Sequence, residues 1–217
     1  MDGDKLIVEI TEGEELSSIQ MIHSDGTKEF KTISFYDFME TMKQEAPITT
    51  GLLPPGTRMF SGDEHTFKII IEQPAQKYRM SFNNLEISKR DMPIPTTLFS
   101  IGVANNRLNH SQIVCIQPPL LDESREIFFF PYGNADTNIC WGSAMPKKIT
   151  GVKGIYSIIA RFMDSHFNGD LATFRGFERF ADMIDAVRDL DEYPHKYLTS
   201  TGMTFSEFKR SLFYERR

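Results

Sequence analysis

The sequence predicts an α+β protein in which an antiparallel meander of about four strands is flanked by helices. Short β-prone runs separated by turn residues dominate the chain as far as residue 130. Beyond residue 150, apolar side chains recur at the spacing that is typical of amphipathic helices. A chain of 217 residues suits one domain with additions, or one domain plus a small lobe, and no internal repeat or linker interrupts it.

Residues 1–50 are predicted to form an N-terminal β-hairpin and a helix, both packed on a main domain of residues 51–217. Residues 5–32 contain β-prone runs and the dipeptide Asp25-Gly26, which is typical of a tight hairpin turn. A helix is predicted over residues 34–45, because the side chains after Ser34 recur on one helical face. These side chains are Phe35, Phe38, Met39 and Met42.

The main domain contains a series of β-prone runs. The predicted strands cover residues 66–71, 78–82, 98–103, 112–116 and 126–130. The short connector Gln73-Pro74-Ala75-Gln76 predicts that the first two of these strands pair as antiparallel neighbours. Residues 83–97 contain Pro93 and Pro95, and they are predicted to be irregular.

Three helices, a C-terminal helical extension, are predicted in the last third of the chain. The first presents one apolar face, formed by Ile155, Ile158, Ile159, Phe162 and His166. A histidine on such a face is interpreted as a core residue rather than a catalytic base. The second helix is predicted from Phe177 to Val187, and the third begins after Thr204 and contains Phe205, Phe208 and Leu212.

Composition narrows the functional classes. A net charge of −6 argues against broad affinity for nucleic acid or anionic membranes, so the expected partners are proteins. No apolar run approaches the ~20 residues of a membrane span. The first residues lack a signal-peptide pattern and the two cysteines form no disulfide framework, so a cytoplasmic location is expected. No cofactor or metal is expected, because the chain has neither a Gly-rich phosphate loop nor a cysteine pair at zinc-ligand spacing.

The stretch that ends at Cys140 carries the candidate chemistry. Residues 127–130 are apolar and aromatic and predict a buried strand, which Pro131 and Gly133 bring to an end. A polar loop follows and leads to Cys140, beside Trp141, the only tryptophan of the chain. A cysteine on a loop braced by large aromatic residues can be exposed yet rigidly placed, as nucleophilic catalysis requires. The other cysteine, Cys115, lies in an apolar strand and is predicted to be buried.

This pattern resembles the active-site segment of ubiquitin-conjugating enzymes. It is closest to the prokaryotic ubiquitin-conjugating-like family D, a family that includes protein B of the PRTRC plasmid system. The motifs that carry the resemblance lie in order over residues 50–170. They are Leu53-Pro54-Pro55-Gly56-Thr57, Ile71-Glu72-Gln73-Pro74, Pro95-Thr96-Thr97-Leu98-Phe99, Phe130-Pro131-Tyr132-Gly133-Asn134, Ile139-Cys140-Trp141-Gly142 and Ser165-His166-Phe167-Asn168.

The resemblance implies a ubiquitin-conjugating-like fold and a bacterial or phage protein that carries a ubiquitin-like modifier as a thioester on Cys140. A ubiquitin-like protein and its activating enzyme are the implied partners. Asn134 is then expected to donate an amide N–H to the oxyanion of the tetrahedral intermediate that forms at the thioester carbonyl. Asn138 is the alternative donor.

Two further features of the segment bear on this chemistry. Lys147, Lys148 and Lys153 follow the loop and are expected to favour the thiolate through their positive charge. Phe130 departs from the family pattern, since the conventional enzymes carry a histidine there that braces the loop.

Other functions remain open at this point. The alternative to the carrier is a non-catalytic adaptor of the same fold that binds a ubiquitin-like protein or its activating enzyme. The chain is also readable as a plasmid or phage structural protein. A Cys140 side chain that is simply packed behind Trp141 favours either of these over catalysis.

Overall fold

The computed structural model describes residues 5–9, 16–34, 52–83, 90–119 and 122–213. Contacts within the chain divide it into two compact units, Met1–Thr49 and Thr50–Arg217. Within the described residues, no helix is long and apolar enough to cross a membrane.

The first unit contains a three-stranded antiparallel sheet in the order β1-β2-β3. Its strands are β1 (Lys5–Glu9), β2 (Leu16–Ile22) and β3 (Lys28–Ser34). The Asp25 carboxylate stabilises the β2–β3 turn by accepting hydrogen bonds from the backbone N and the Oγ1 of Thr27, at 2.9 and 2.6 Å. The hairpin predicted at Asp25-Gly26 is therefore present as β2 and β3, and β1 adds a third strand along the other edge of β2. The helix predicted over residues 34–45 lies, apart from Ser34, outside the described residues.

The second unit is built on a six-stranded antiparallel sheet in the order β12-β10-β9-β8-β5-β4. Its strands are β4 (Thr57–Gly62), β5 (Phe67–Gln73), β8 (Thr97–Ala104), β9 (Arg107–Cys115), β10 (Glu126–Phe128) and β12 (Ser200–Thr204). The general α+β class is confirmed, and the sheet is wider than the predicted meander of about four strands. Strand β12 was not predicted, because its largely polar sequence shows no alternation of apolar and polar residues.

The smaller sheet of this unit corrects one predicted pairing. Strand β6 (Gln76–Phe82) follows β5 after two residues, yet it pairs with β7 (Arg90–Ile94) and with the short β11 (His166–Phe167). A two-residue hairpin requires a positive φ at its first loop position, and Pro74 occupies that position with a φ near −65°. The chain therefore leaves the large sheet at Pro74, and the predicted β5–β6 pair is wrong.

The prediction of an irregular segment over residues 83–97 is also wrong where the structure describes it. Residues 90–94 form β7, in which Pro93 lies opposite Lys77 of β6. Strand β7 is an edge strand in the order β11-β6-β7, and an edge position tolerates a residue that donates no backbone hydrogen bond. Pairing with β6 also brings Met92 and Ile94 into the core, where they are 0 and 3% exposed.

Apolar residues cover both faces of the large sheet. In β5, Ile69 and Ile71 belong to one buried cluster and Ile70 to the other. Helices α1 (Ile155–Met163) and α2 (Phe180–Val187) pack on the first face, and α3 (Phe205–Phe213) packs on the second. Burial on both faces explains why β5 is a continuous apolar run rather than an alternating one.

The three predicted helices are present, with altered bounds for the first two. Helix α2 begins at Phe180, so Phe177 precedes it. Helix α3 begins with a reciprocal cap, in which the Glu207 carboxylate accepts a hydrogen bond from the Thr204 backbone N at 2.8 Å and Thr204 Oγ1 accepts one from the Glu207 N at 3.4 Å.

His166 does not lie on the apolar face of α1, so its interpretation as a core histidine is wrong. The helix ends at Met163, and the Ser165 hydroxyl closes its last turn by donating to the Phe162 carbonyl at 2.6 Å. The chain then turns, and His166 begins β11 as an exposed residue that pairs in parallel with Ser81 of β6.

Phe162 connects α1 to four aromatic residues from separate parts of the second unit: Phe99, Phe130, Trp141 and Phe167, all within 5.5–6.1 Å between ring centroids. We therefore expect Phe162→Ala to lower the free energy of unfolding by about 3–5 kcal/mol, through lost transfer energy and the cavity that remains. Urea denaturation measures this change. Met145→Ala is the control, because Met145 is half exposed, and its effect is expected to stay within about 0.5 kcal/mol. Equal effects of the two substitutions would contradict the assignment of Phe162 to the centre of the core.

Candidate functional site

The chain enters the candidate site from β10, which ends at Phe128 rather than at the predicted Phe130. Phe130 and Tyr132 remain in the core, at 1 and 0% exposure. Phe130 packs against Tyr132, Phe162 and Phe167, with ring centroids 5.7, 5.7 and 6.1 Å away. Tyr132 donates its hydroxyl hydrogen to the Pro93 carbonyl at 2.6 Å. The segment after β10 is thus held by aromatic packing on α1 and β11 and by a hydrogen bond to β7.

Residues 134–140 form a closed loop. The backbone N of Cys140 donates to the carbonyl of Asn134 at 2.8 Å, and Ala135 forms an antiparallel bridge with Ile139. The Asp136 carboxylate accepts a hydrogen bond from the backbone N of Asn138 at 2.9 Å, which closes an Asx turn inside the loop. These bonds bring the two ends of the loop together, so Cys140 lies beside the start of the loop.

Gly133 permits the sharp entry into this loop. Its φ is +88°, and a Cβ at this position would lie 2.7 Å from the carbonyl oxygen of Asp170. That approach is closer than a side chain allows, so the position requires glycine. The backbone N of Asn134 donates to the same carbonyl at 3.0 Å, which ties the loop to the segment after β11.

The loop is anchored on the middle of β9. Ile139 N donates to the Ser111 carbonyl at 3.0 Å, and Ile113 N donates to the Thr137 carbonyl at 2.8 Å. Side chains add two further bonds: Trp141 Nε1 donates to Ser111 Oγ at 2.8 Å, and Gln112 Nε2 donates to Asn138 Oδ1 at 3.1 Å. Sequence reasoning missed Ser111 and Gln112. In the sequence they end the polar run 109–112, directly before the apolar residues 113–116.

Cys140 itself is exposed and lies in a loop, as predicted. The next residue, Trp141, is half-buried, and its ring packs edge-on against Phe162 with 6.1 Å between centroids. A short 3₁₀ turn, Gly142–Ala144, follows directly. The interpretation of Cys140 as a small residue packed behind Trp141 is therefore wrong. The thiol reaches solvent while its neighbours on both sides are held.

Asn134 uses its side chain to hold the loop. Its Nδ2 donates to Ser165 Oγ at 3.2 Å and to the His166 carbonyl at 2.9 Å, so both amide hydrogens have acceptors. Asn138 is exposed, and its Nδ2 makes one long contact of 3.4 Å with Asp136 Oδ1. Among the described residues, the second N–H of Asn138 Nδ2 has no acceptor, whereas both N–H groups of Asn134 Nδ2 have one. The role of either residue as an oxyanion donor stays a prediction.

The other residues that the sequence singled out, three lysines and Cys115, lie outside the loop of residues 134–140. Lys147 and Lys148 are exposed in the segment before α1, and Lys153 is exposed in the 3₁₀ turn, Val152–Gly154, that leads into the helix. Cys115 is fully buried at the end of β9, as predicted, and burial raises the pKa of its thiol well above the ordinary value. Among the described residues, no three His, Cys, Asp or Glu side chains gather into a group that could hold a metal ion.

No protein-family model, no curated protein and no solved structure matches this chain. What the geometry offers chemically is an exposed thiol on a loop that backbone and side-chain hydrogen bonds attach to β9, next to a cluster of buried aromatic residues.

Native-state alkylation is expected to modify Cys140 well before Cys115. Cys140 is exposed, whereas Cys115 is enclosed and its raised pKa leaves little thiolate at neutral pH. Peptide mass mapping after timed treatment with iodoacetamide measures the order. In urea the two rates should converge, which serves as the control. Prior modification of Cys115 in the native state would contradict the burial described above.

Ser111→Ala is expected to loosen the attachment of Trp141, because the indole N–H loses its acceptor in a half-buried position. The fluorescence of this single tryptophan should shift to longer wavelength as water reaches the ring. Ser111→Thr keeps a hydroxyl at the same place and is expected to restore the parent spectrum. An unchanged spectrum in Ser111→Ala would show that the hydrogen bond does not position Trp141.

Proposed function

We propose that this protein is a ubiquitin-conjugating-like carrier, which receives a ubiquitin-like modifier from an activating enzyme and holds it as a thioester on Cys140. The observation that carries the proposal is the placement of Cys140. Its thiol is exposed on a loop that hydrogen bonds to β9 hold in place. A carrier cysteine needs both properties, since a bulky macromolecular thioester must reach it and the acceptor amine must find it in a defined position.

The proposed reaction consists of two acyl transfers. The Cys140 thiolate attacks the thioester carbonyl of the loaded activating enzyme, a new C–S bond forms, and the thiolate of that enzyme leaves. An amine of the acceptor then attacks the same carbonyl carbon. The bond to the Cys140 sulfur breaks, an amide forms, and the amine loses a proton to solvent. Each step passes through a tetrahedral oxyanion that a hydrogen-bond donor stabilises.

The order of the motifs also supports the proposal. The aromatic segment at residues 128–130 leads through a Pro-Tyr-Gly turn and a polar loop to Ile139-Cys140, as in the family that the sequence resembles. Phe130 stands at the position of the bracing histidine, and it packs against three aromatic rings. Packing of this kind replaces the brace that a histidine hydrogen bond would provide.

A non-catalytic adaptor of the same fold is the second candidate, and the environment of Asn134 favours it. Both amide hydrogens of Asn134 are directed to Ser165 and His166. A loop built in this way presents a rigid surface for binding a ubiquitin-like protein without presenting the expected oxyanion donor.

Incubation with a ubiquitin-like modifier, its activating enzyme and ATP separates the two candidates. A carrier is expected to form an adduct that dithiothreitol removes. Cys140→Ser should give a reductant-resistant ester or no adduct, and Cys140→Ala should give none. Cys115→Ala is the matched control and should load normally. Binding of the modifier to Cys140→Ala with the affinity of the parent, and no adduct in either protein, would establish the adaptor instead.

Asn134→Ala and Asn138→Ala test the oxyanion donor in the loaded protein. Loss of the true donor should leave loading largely intact and slow transfer to an amine by roughly 10²-fold. Trp141 fluorescence distinguishes the alternative, because a variant that only loosens the loop changes the spectrum as well as the rate. Single-turnover transfer from the preformed thioester measures the effect. Unchanged transfer in both variants would contradict a side-chain amide donor.

A further inference from the structure

The charge of the chain is distributed unevenly around the candidate site. The protein has 30 acidic residues and 24 Lys and Arg residues. Between Asp136 and Asp164, however, the chain contains no acidic residue and carries only cations: Lys147, Lys148, Lys153 and Arg161. We call these four residues together the basic surface. They follow Cys140 and Trp141 in a chain whose net charge is −6.

All four side chains of the basic surface are exposed. Some cations elsewhere in the second unit pair with acids, as Arg58 does with Glu72 and Lys77 with Asp191, both at 2.8 Å. Within the described part of the chain, none of the four makes an ion pair. Their charge is thus not neutralised within the described structure.

Contacts hold Lys147, Lys148 and Arg161 near the turn that follows Trp141. The guanidinium of Arg161, on α1, donates to the Ala144 carbonyl at 3.3 Å, which joins the helix to the turn after Trp141. Ile149 is buried, and its backbone N donates to the Asn106 carbonyl at 2.9 Å, so Lys147 and Lys148 stand on a segment that is anchored at both ends.

Apolar side chains are interspersed with these cations. Met145 is 50% exposed, and Tyr156, on the first turn of α1, is 39% exposed. The Tyr156 hydroxyl donates to the Pro55 carbonyl at 2.8 Å, and Leu52, three residues before Pro55, is 91% exposed. The surface beside Cys140 is therefore both basic and apolar.

Acidic residues of the turn between β4 and β5 lie next to this surface. Asn106, which accepts from Ile149, also donates its backbone N to the His65 carbonyl at 2.8 Å, and this contact places Asp63 and Glu64 on that side. The Asp63 carboxylate is engaged in its own turn, where it accepts from the backbone N of His65 and of Thr66 at 2.7 and 2.8 Å.

We propose that the basic surface docks an acidic protein segment that also presents an apolar side chain, and that this segment belongs to the partner which brings the modifier to Cys140. The second part of the proposal rests on the function proposed above. Charge complementarity steers such a partner to the site, and the exposed methionine, tyrosine and leucine offer apolar contacts that a phosphate backbone would not use. Docking here brings the partner to the segment that follows the reactive thiol in the chain.

Binding of simple probes tests the chemistry of the occupant. A fluorescein-labelled Glu-rich peptide that contains Leu is compared by anisotropy with the same peptide carrying Gln at every Glu, and with oligo-dT. We expect the acidic peptide to bind most tightly and to weaken with added salt, because exposed charges are screened over about 10 Å at 0.1 M ionic strength. Equal binding of the acidic and neutral peptides would overturn the proposal. Tighter binding of oligo-dT would overturn it in favour of nucleic acid.

Charge reversal tests the location. Lys147→Glu/Lys148→Glu is expected to weaken binding of the acidic peptide by about tenfold. Arg125→Glu/Arg210→Glu makes the same change of net charge at exposed positions beside α3, on the opposite face of the large sheet from α1, and should leave binding unchanged. An equal loss in both double variants would show an effect of net charge alone and would refute the basic surface as the site.

A local readout separates this proposal from the function on which it rests. The ratio of Cys140 alkylation rates with iodoacetate and iodoacetamide reports the potential at the thiol, since only the first reagent is an anion. The Lys147→Glu/Lys148→Glu variant should lower this ratio several-fold, and bound acidic peptide should slow both reagents. An unchanged ratio in a protein that still forms the thioester would refute the basic surface alone. A lowered ratio with no thioester in any protein would refute the carrier function alone.

Discussion

The antiparallel contact between residues 111–113 of β9 and residues 137–139 is the interaction on which the placement of Cys140 depends. It exists because β10 is only three residues long and meets β9 at a single pair, Phe128 opposite Cys115. The rest of that edge of β9 would otherwise leave N–H and C=O groups without partners. The loop fills this part of the edge, with Ile113 N donating to it and the Ser111 carbonyl accepting from it. Hydrogen bonds to β9 therefore fix the position of the loop as they would fix that of a strand, although the loop has no regular conformation.

Aromatic packing in the core also stabilises the position of this loop. Phe162, on α1, contacts Phe99 of β8, Phe130 after β10, Trp141 after the loop, and Phe167 of β11. Edge-on and tilted ring contacts of this kind have a defined geometry, and they add to the energy of apolar burial. A helix, two strands and the loop thus share one buried centre. Displacement of any of them changes the surroundings of Trp141.

Asn134 joins the loop to the segment that follows α1. Its backbone N donates to Asp170, its side chain donates to Ser165 and His166, and its carbonyl accepts from Cys140. One residue therefore connects the thiol-bearing position with residues 165–170. This connection gives Asn134 a structural role whether or not the loop performs chemistry, and it explains why the same residue supports two functional candidates. The four cations of the basic surface take part in none of these hydrogen bonds.

The sequence by itself determined the features that depend on neighbouring residues. The alternating and continuous apolar runs indicated β8 and β9, and Asn105 and Asn106 adopt φ values of +50 and +62° in the turn between them, as asparagines readily do. Helical spacing indicated α1 and α3, and the apolar and polar surroundings of Cys115 and Cys140 predicted the burial of the first and the exposure of the second.

Only the tertiary structure decided which elements pair. Periodicity shows which face of a strand is apolar, but it carries no information on the strand that will cover it. For this reason β5 and β6, adjacent in sequence, lie in different sheets, and the polar residues 200–204 form a strand beside β10. Ser111 and Gln112 became site residues in the same way. Their partners, Trp141 and Asn138, lie 30 and 26 residues away, and only the fold brings them together.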